Sequence, residues 1–266
     1  MCTCRTDPPE RRTVLALRDI RRTHGFTLIE LAIVLFVVTL LLGGILTPLG
    51  EQIQERRVSQ TRLNLAQAQT ALVGYALARQ GLGMGHLPCP DAQTAMDHGV
   101  PNDGLEDRLP EGNCLVNSGN LPWMTLGLAD GDAWGNRLGY AVAPAWSQVD
   151  AGNRAAPGLE ICADLRCPSP LPAAALLMSH GPNGFGASSG HGGHNLPSSA
   201  AEELENTDGD GRFIQHPPRA ADRPGGAFDD ILLPVSADWL RGRLCDPAGL
   251  CRAPSPQGVV PGQAPG

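Results

Sequence analysis

The stretch "RRTHGFTLIELAIVLFVVTLLLGGIL" covers residues 21–46, and its reading decides the fold. From Phe26 to Leu46 there are 21 residues, and Glu30 is the one ionisable side chain among them. At ~1.5 Å rise per residue, a helix of this length spans about 30 Å, the thickness of the hydrocarbon core of a bilayer. A carboxylate inside such a span costs roughly 2.5–3.5 kcal/mol. Two readings account for Glu30. Either a partner neutralises it, or it lies near the headgroups and reaches out to water.

The residues upstream favour a partner. Residues 1–25 carry six arginines (Arg5, Arg11, Arg12, Arg18, Arg21, Arg22) and three acids (Asp7, Glu10, Asp19). An arginine-rich flank stays in the cytoplasm, which places the N-terminus inside and the bulk of the chain outside. No A-x-A-like cleavage site follows Leu46; the sequence continues Thr47, Pro48, Leu49, Gly50. The apolar run is also longer than a secretory h-region. The span is therefore expected to be retained, with any processing before it.

Gly25-Phe26-Thr27-Leu28-Ile29-Glu30, behind a basic leader and ahead of an apolar segment, resembles the class III signal of type IV prepilins and type II secretion pseudopilins. The resemblance implies that a prepilin peptidase cuts after Gly25 and methylates the new N-terminus at Phe26. It implies that Glu30 pairs with the α-amino group of a neighbouring subunit during filament assembly. Desolvation offsets much of the attraction in such a pair, which can still set register. The implied partners are other pilin or pseudopilin subunits, the prepilin peptidase and an inner-membrane assembly platform. The implied location is a single pass through the inner membrane, N-terminus cytoplasmic and head periplasmic, followed by entry into a filament. The large head favours a minor pilin of a type IV pilus; the alternative is a pseudopilin of a type II secretion system.

Charge excludes one class of partner. The chain has no lysine and a net charge of −7. Without residues 1–25 it has 14 arginines against 24 acids, a net −10. Such a balance argues against nucleic acid as a partner. The expected organisation is a cleaved leader (1–25), a transmembrane segment (26–46), a periplasmic continuation of the same helix (47–80), a disulfide-containing head (81–252) and a low-complexity, disordered tail (253–266). Residues 51–80 hold no proline and one glycine. Their apolar positions at Ile53, Leu65, Leu72, Val73, Ala76 and Leu77 suit a helix packed on the head. Pro48 and the Gly43-Gly44 pair are expected to kink or soften it, and the glycines of residues 81–85 to end it. "DAWGNRLGYAV" (132–142) reads as a turn feeding a strand with Leu138, Tyr140 and Val142 on one face. Further strands are expected at residues 159–162, 173–179 and 231–235. The fold class is therefore α+β: one long N-terminal helix laid on an antiparallel sheet, the pilin-like arrangement.

Eight cysteines divide by compartment. Cys2 and Cys4 lie in the leader. The other six face an oxidising compartment, and proximity suggests Cys89–Cys114, Cys162–Cys167 and Cys245–Cys251. Six cysteines can pair in many ways, and zinc is the rival, although no C-x₂-C pair is present outside the leader.

In "ENTDGDGRF" (205–213), Asn206, Asp208, Asp210 and Gly211 match positions 1, 3, 5 and 6 of an EF-hand loop. Position 12 is Pro217, so this is not an EF-hand. The oxygens remain suited to calcium, with Asp229 or Asp230 completing the shell. "SHGPNGFGASSG … ENTDGDG … FDDIL" also resembles the region of major pseudopilins that binds calcium. This chain departs from it by a Gly/His/Ser-rich insertion at residues 187–201. The competing reading is an acidic turn that binds nothing.

Weaker motifs define the rivals. Gly186-Ala187-Ser188-Ser189-Gly190 matches the G-x-S-x-G of hydrolases, which needs a strand–turn–helix setting; a membrane-anchored envelope hydrolase using Ser188 and a histidine is the alternative of another class. His180, His191, His194 and His216 are metal candidates, and "PNDGLED" (101–107) is an acidic turn. A calcium-dependent adhesin is a third possibility. The pilin-like reading carries no catalysis.

Overall fold

The structure, a computed structural model, describes residues 27–79, 85–96, 99–148 and 158–244, with the backbone alone at 42–49. The leader, the tail, Cys2, Cys4, Cys245 and Cys251 lie outside the described residues, as do residues 81–84 of the segment expected to end the long helix. The chain divides between Glu51 and Gln52 into two compact units.

Helix α1 runs Leu28–Ala78, 51 residues. It starts where Thr27 precedes three residues ending in Glu30, the T-x-x-E spacing of a capping box. The Thr27 hydroxyl accepts the Glu30 N–H at 3.2 Å. The helical backbone continues through Gly43, Gly44 and Pro48. In the first unit, every large apolar side chain of residues 28–41 is more than two-fifths exposed, on all sides of the helix. Among the described residues, no helix is long and apolar enough to cross a membrane.

In the second unit α1 becomes one-sided. Thr61, Leu65, Ala68, Leu72 and Ala76 are buried, at spacings of four, three, four and four that keep one helix face. Of the expected apolar stripe, Ile53 and Leu77 are instead exposed. Ile53 lies two turns before the first buried position, and Leu77 is rotated ~100° from Ala76.

The buried face shares one core with a four-stranded antiparallel sheet. Its strands are β1 (Ser118–Asn120), β2 (Gly139–Val142), β5 (Ala175–Ser179) and β7 (Ile231–Val235), in the order β1-β2-β5-β7. The central strands β2 and β5 are buried at every residue. Leu138, Tyr140 and Val142, expected on one face, are all buried, and Ala141 between them is buried too, so both sides of the strand are covered. Across β2 and β5, Tyr140 stands opposite Leu177 and Gly139 opposite Met178.

A second sheet, β4-β3-β6, corrects the expectation of a single antiparallel sheet. β3 (Leu159–Cys162) pairs antiparallel with β4 (Leu171–Ala173) and parallel with β6 (Arg212–Ile214). The strand expected at 173–179 is divided between the sheets. Ala173 ends β4, the Ala174 N–H donates to the Val235 carbonyl at 2.8 Å, and β5 begins at Ala175. Four short helices complete the described elements: α2 (Trp123–Leu126), α3 (Pro144–Ser147), α4 (Ala201–Glu205) and α5 (Ala237–Leu244).

Among the described residues two disulfides staple the loops, Cys89–Cys114 and Cys162–Cys167, both as expected. The first closes a loop tied to α1 by polar contacts. The Tyr75 hydroxyl donates to Glu106, which also accepts the Cys89 N–H and pairs with Arg108. Arg108 donates further to the carbonyls of Leu87, Gly112 and Ser147. The second disulfide borders a small core of Cys162, Ile214 and Phe228.

The packing of α1 is testable. Leu72 is 1 % exposed in the main core, and Leu63 is 56 % exposed on the same helix. Leu72→Ala is expected to cost the detergent-solubilised chain about 2–5 kcal/mol in denaturant unfolding followed by tryptophan fluorescence. Leu63→Ala should change stability by about 0.5 kcal/mol or less. Equal effects would contradict the assigned face.

Candidate functional site

Two regions carry candidate chemistry. The first is the start of α1. Glu30 is exposed there among exposed apolar neighbours, in the first turn of the helix. A first-turn acid complements the helix dipole, so the Glu30 charge favours the helix start locally as well as serving any partner. Gly25 and Phe26 lie outside the described residues.

The second region is acidic, and the structure divides the expected calcium ligands between two places. Asn206 turns inward and is buried. Its Oδ1 accepts the Ile214 N–H at 2.6 Å, and its Nδ2 donates to the Ile214 carbonyl at 3.2 Å and to Asp230 Oδ2 at 2.7 Å. Asp208 and Asp210 remain on the exposed turn. Asp208 Oδ1 accepts the Asp210 N–H, and Asp210 Oδ1 accepts the Arg212 N–H. Their carboxylates gather with Glu205, which is already paired with Arg212. Asn206 is thus withdrawn from the loop whose first position it was expected to fill.

Asp229 and Asp230 gather instead with Glu203: one oxygen from each of the three lies within 4.8 Å of the others. α4 delivers Glu203 as it closes the insertion, and its side chain is 1 % exposed. Glu203 Oε1 accepts Asn183 Nδ2 and the Asp229 N–H, each at 3.0 Å. Its Oε2 accepts the Ser198 hydroxyl at 2.6 Å. Asp229 Oδ2 accepts the Asn183 N–H at 3.2 Å, while Asp229 Oδ1 is buried with no hydrogen-bond partner. Gly181 makes this packing possible. It holds φ +60°, and a Cβ there would stand 2.3 Å from the Asp229 carbonyl oxygen. Behind Asp230 lies His180, its Nδ1 3.7 Å from Asp230 Oδ1 and without a hydrogen-bond partner. Burial pushes the Asp229 carboxyl up to about 7, and the neighbouring Glu203 charge adds to the rise. A buried carboxylate oxygen with no donor calls for a proton or a cation. The residues therefore fit calcium better at this buried cluster than at the exposed turn. Glu203 had no signal in the sequence, since nothing in "AAEELEN" distinguishes it from Glu202.

The acidic turn at 101–107 is structural. Asp91 is fully buried and accepts the N–H groups of Asn102 and Gly104 at 2.9 and 3.0 Å. Asp107 accepts the Ala92 N–H at 2.8 Å. Burial raises the Asp91 carboxyl to about 7; the Gly104 and Asn102 N–H groups oppose the rise, and the charges of Asp103 and Asp107 add to it.

Ser188 is 1 % exposed, and its hydroxyl is buried without a hydrogen-bond partner. Its backbone forms an antiparallel β-bridge with that of His194, whose ring Nε2 lies 2.8 Å from the Gln93 carbonyl. The four candidate histidines do not converge. His191 and His194 are exposed, His180 is buried behind Asp230, and His216 pairs with Glu202. Among the described residues no cluster of potential metal ligands includes a histidine.

Residues 20–46 match the family model of the prokaryotic N-terminal methylation motif. The match covers the leader's last residues, the Gly25/Phe26 junction, Glu30 and the apolar run, and supports the class III signal of type IV pilins and pseudopilins. No curated protein and no solved structure matches the chain.

Asp91 and Asp229 together set an unusual pH dependence. A carboxyl raised in the folded state binds its proton more tightly there than in the unfolded chain. Its contribution is fully present below the unfolded value and is lost as pH rises through about 7. In chelator-containing buffer, the thermal midpoint is therefore expected to rise as pH falls from 8.5 to 5.5. Asp91→Asn and Asp229→Asn should each flatten part of that rise. A midpoint that falls over this window in the wild type would contradict the assignment.

Proposed function

We propose that this chain is a pilin-like subunit, a minor pilin of a type IV pilus, processed by prepilin peptidase and assembled through α1 into a filament. The observation that carries the reading is the methylation motif over residues 20–46, set on a helix whose apolar side chains are exposed on all sides. An apolar surface of this kind needs lipid or other helices around it. The membrane anchor, the periplasmic head, the neighbouring subunits and the assembly platform follow from this reading. A pseudopilin of a type II secretion system uses the same signal and is the second reading.

Calcium is proposed as a ligand of the head at Asp229 and Asp230. Its support is the buried, unpartnered Oδ1 of Asp229.

Glu30 supplies the test of assembly. The Thr27–Glu30 box accepts glutamine at its last position as well as glutamate. Glu30→Gln removes the charge but keeps side-chain shape and hydrogen bonding, whereas Glu30→Ala removes all three; the Thr27 bond to the backbone N–H of residue 30 is available in both. If Glu30 meets a neighbour's α-amino group, both variants should be cleaved at Gly25 and reach the membrane at wild-type levels. Both should lose most of their cross-linking to the other filament subunits. Wild-type cross-linking by Glu30→Gln would show that charge pairing is not the role of Glu30.

A further inference from the structure

We infer that Glu203, carried on α4 at the end of the insertion, is the third carboxylate of the head's calcium site, and that the cation clamps this insertion to the sheet. The inference rests on the calcium reading and names the residues of this chain that would serve it.

Three buried or half-buried acids meet here from two segments of the chain. Glu203 comes from α4, and Asp229 and Asp230 from the lead-in to β7. Among the described residues no arginine pairs with any of them; the nearest cationic candidate is His180, beside Asp230. Gathered carboxylates removed from water need a compensating charge. Two unpartnered buried atoms lie at the cluster. One is Asp229 Oδ1; the other is Nδ1 of His180, a side chain 3 % exposed and 3.7 Å from Asp230. The oxygen-only donor set suits a hard divalent cation, and calcium tolerates irregular carboxylate geometry better than magnesium does.

The exposed turn lacks these features. Asp208 and Asp210 spend oxygens on their own backbone, Glu205 is paired with Arg212, and Asn206 is committed to β6 and Asp230. Asn206 instead braces the buried cluster, since its Nδ2 holds Asp230 Oδ2 and leaves Oδ1 for another partner.

The insertion is tied to the cluster through Glu203. Ser198 donates to Glu203 Oε2 and also accepts the Ala200 N–H at 3.0 Å, so the end of the insertion turns on the same carboxylate. A cation bound by Glu203, Asp229 and Asp230 would join α4 directly to the lead-in of β7. Its binding should restrain residues 198–203.

The experiment is calorimetric titration of the full-length, detergent-solubilised chain with calcium, with magnesium as control. Hydrogen exchange of the wild type is measured in calcium and in chelator. Glu203→Gln should weaken calcium binding about tenfold or more, and the Asp208→Ala/Asp210→Ala pair should bind like wild type. In the wild type, calcium should slow exchange in peptides covering residues 198–203. If the wild type takes up no calcium, the calcium reading falls and this inference with it. If it binds calcium but Glu203→Gln binds equally well, or the loop pair loses binding, the assignment of Glu203 is overturned while calcium itself stands. Should Glu203→Gln fail to fold, the loop pair and the wild-type exchange decide. Calcium binding without slowed exchange at 198–203 would overturn the clamp.

Discussion

The burial of one face of α1 is the constraint on which the head is built. Leu65, Ala68, Leu72 and Ala76 share a core with Tyr140, Val142, Leu176 and Val235. Two of these four helix positions are alanine, so little side-chain bulk separates the helix backbone from what packs against it. β2 and β5 then lose their solvent face altogether, and their sequences carry no charged residue; the polar Ser179 at the end of β5 donates its hydroxyl to Asp132. The loop after the helix must double back over it. Tyr75, Glu106, Arg108 and the Cys89–Cys114 disulfide fix that return with polar and covalent contacts.

The second sheet and the acidic cluster form a linked periphery. β6 leaves the turn at 208–211 and pairs with β3, whose last residue is held by the Cys162–Cys167 disulfide. Phe228 packs against Cys162 and Ile214 one residue before Asp229. Asn206 spans the gap, bonded at once to Ile214 and Asp230. The carboxylates are thus positioned by a small core and an amide bridge, and Gly181 leaves the space that a Cβ would fill.

Much of this was legible. Runs such as Leu159–Cys162 and Ile231–Val235 declare themselves by composition, and the sequence neighbours Cys89/Cys114 and Cys162/Cys167 pair as proximity suggests. The rest depends on contacts that no local pattern encodes. β1 is Ser-Gly-Asn, a poor strand by composition, and exists because Gly139 to Ala141 pair with it. The parallel β3–β6 pair joins segments about fifty residues apart. The Asn206 side chain matches a calcium position by spacing, yet it is claimed by β6. The T-x-x-E box at Thr27 is plain in the sequence, immediately ahead of the apolar run.

The Glu30 charge is also where function and local structure meet. Glu30 lies in the first turn of its own helix, where a negative charge complements the dipole, and in the proposed filament it answers a neighbour's amine that only cleavage creates. Cleavage at Gly25 is therefore the event on which the account turns. Its most direct measurement is the intact mass of the chain extracted from membranes of a strain with active prepilin peptidase. The account expects a single species beginning at N-methyl-Phe26, with Cys2 and Cys4 gone. A chain that keeps its leader, or one that begins beyond Leu46, would contradict it.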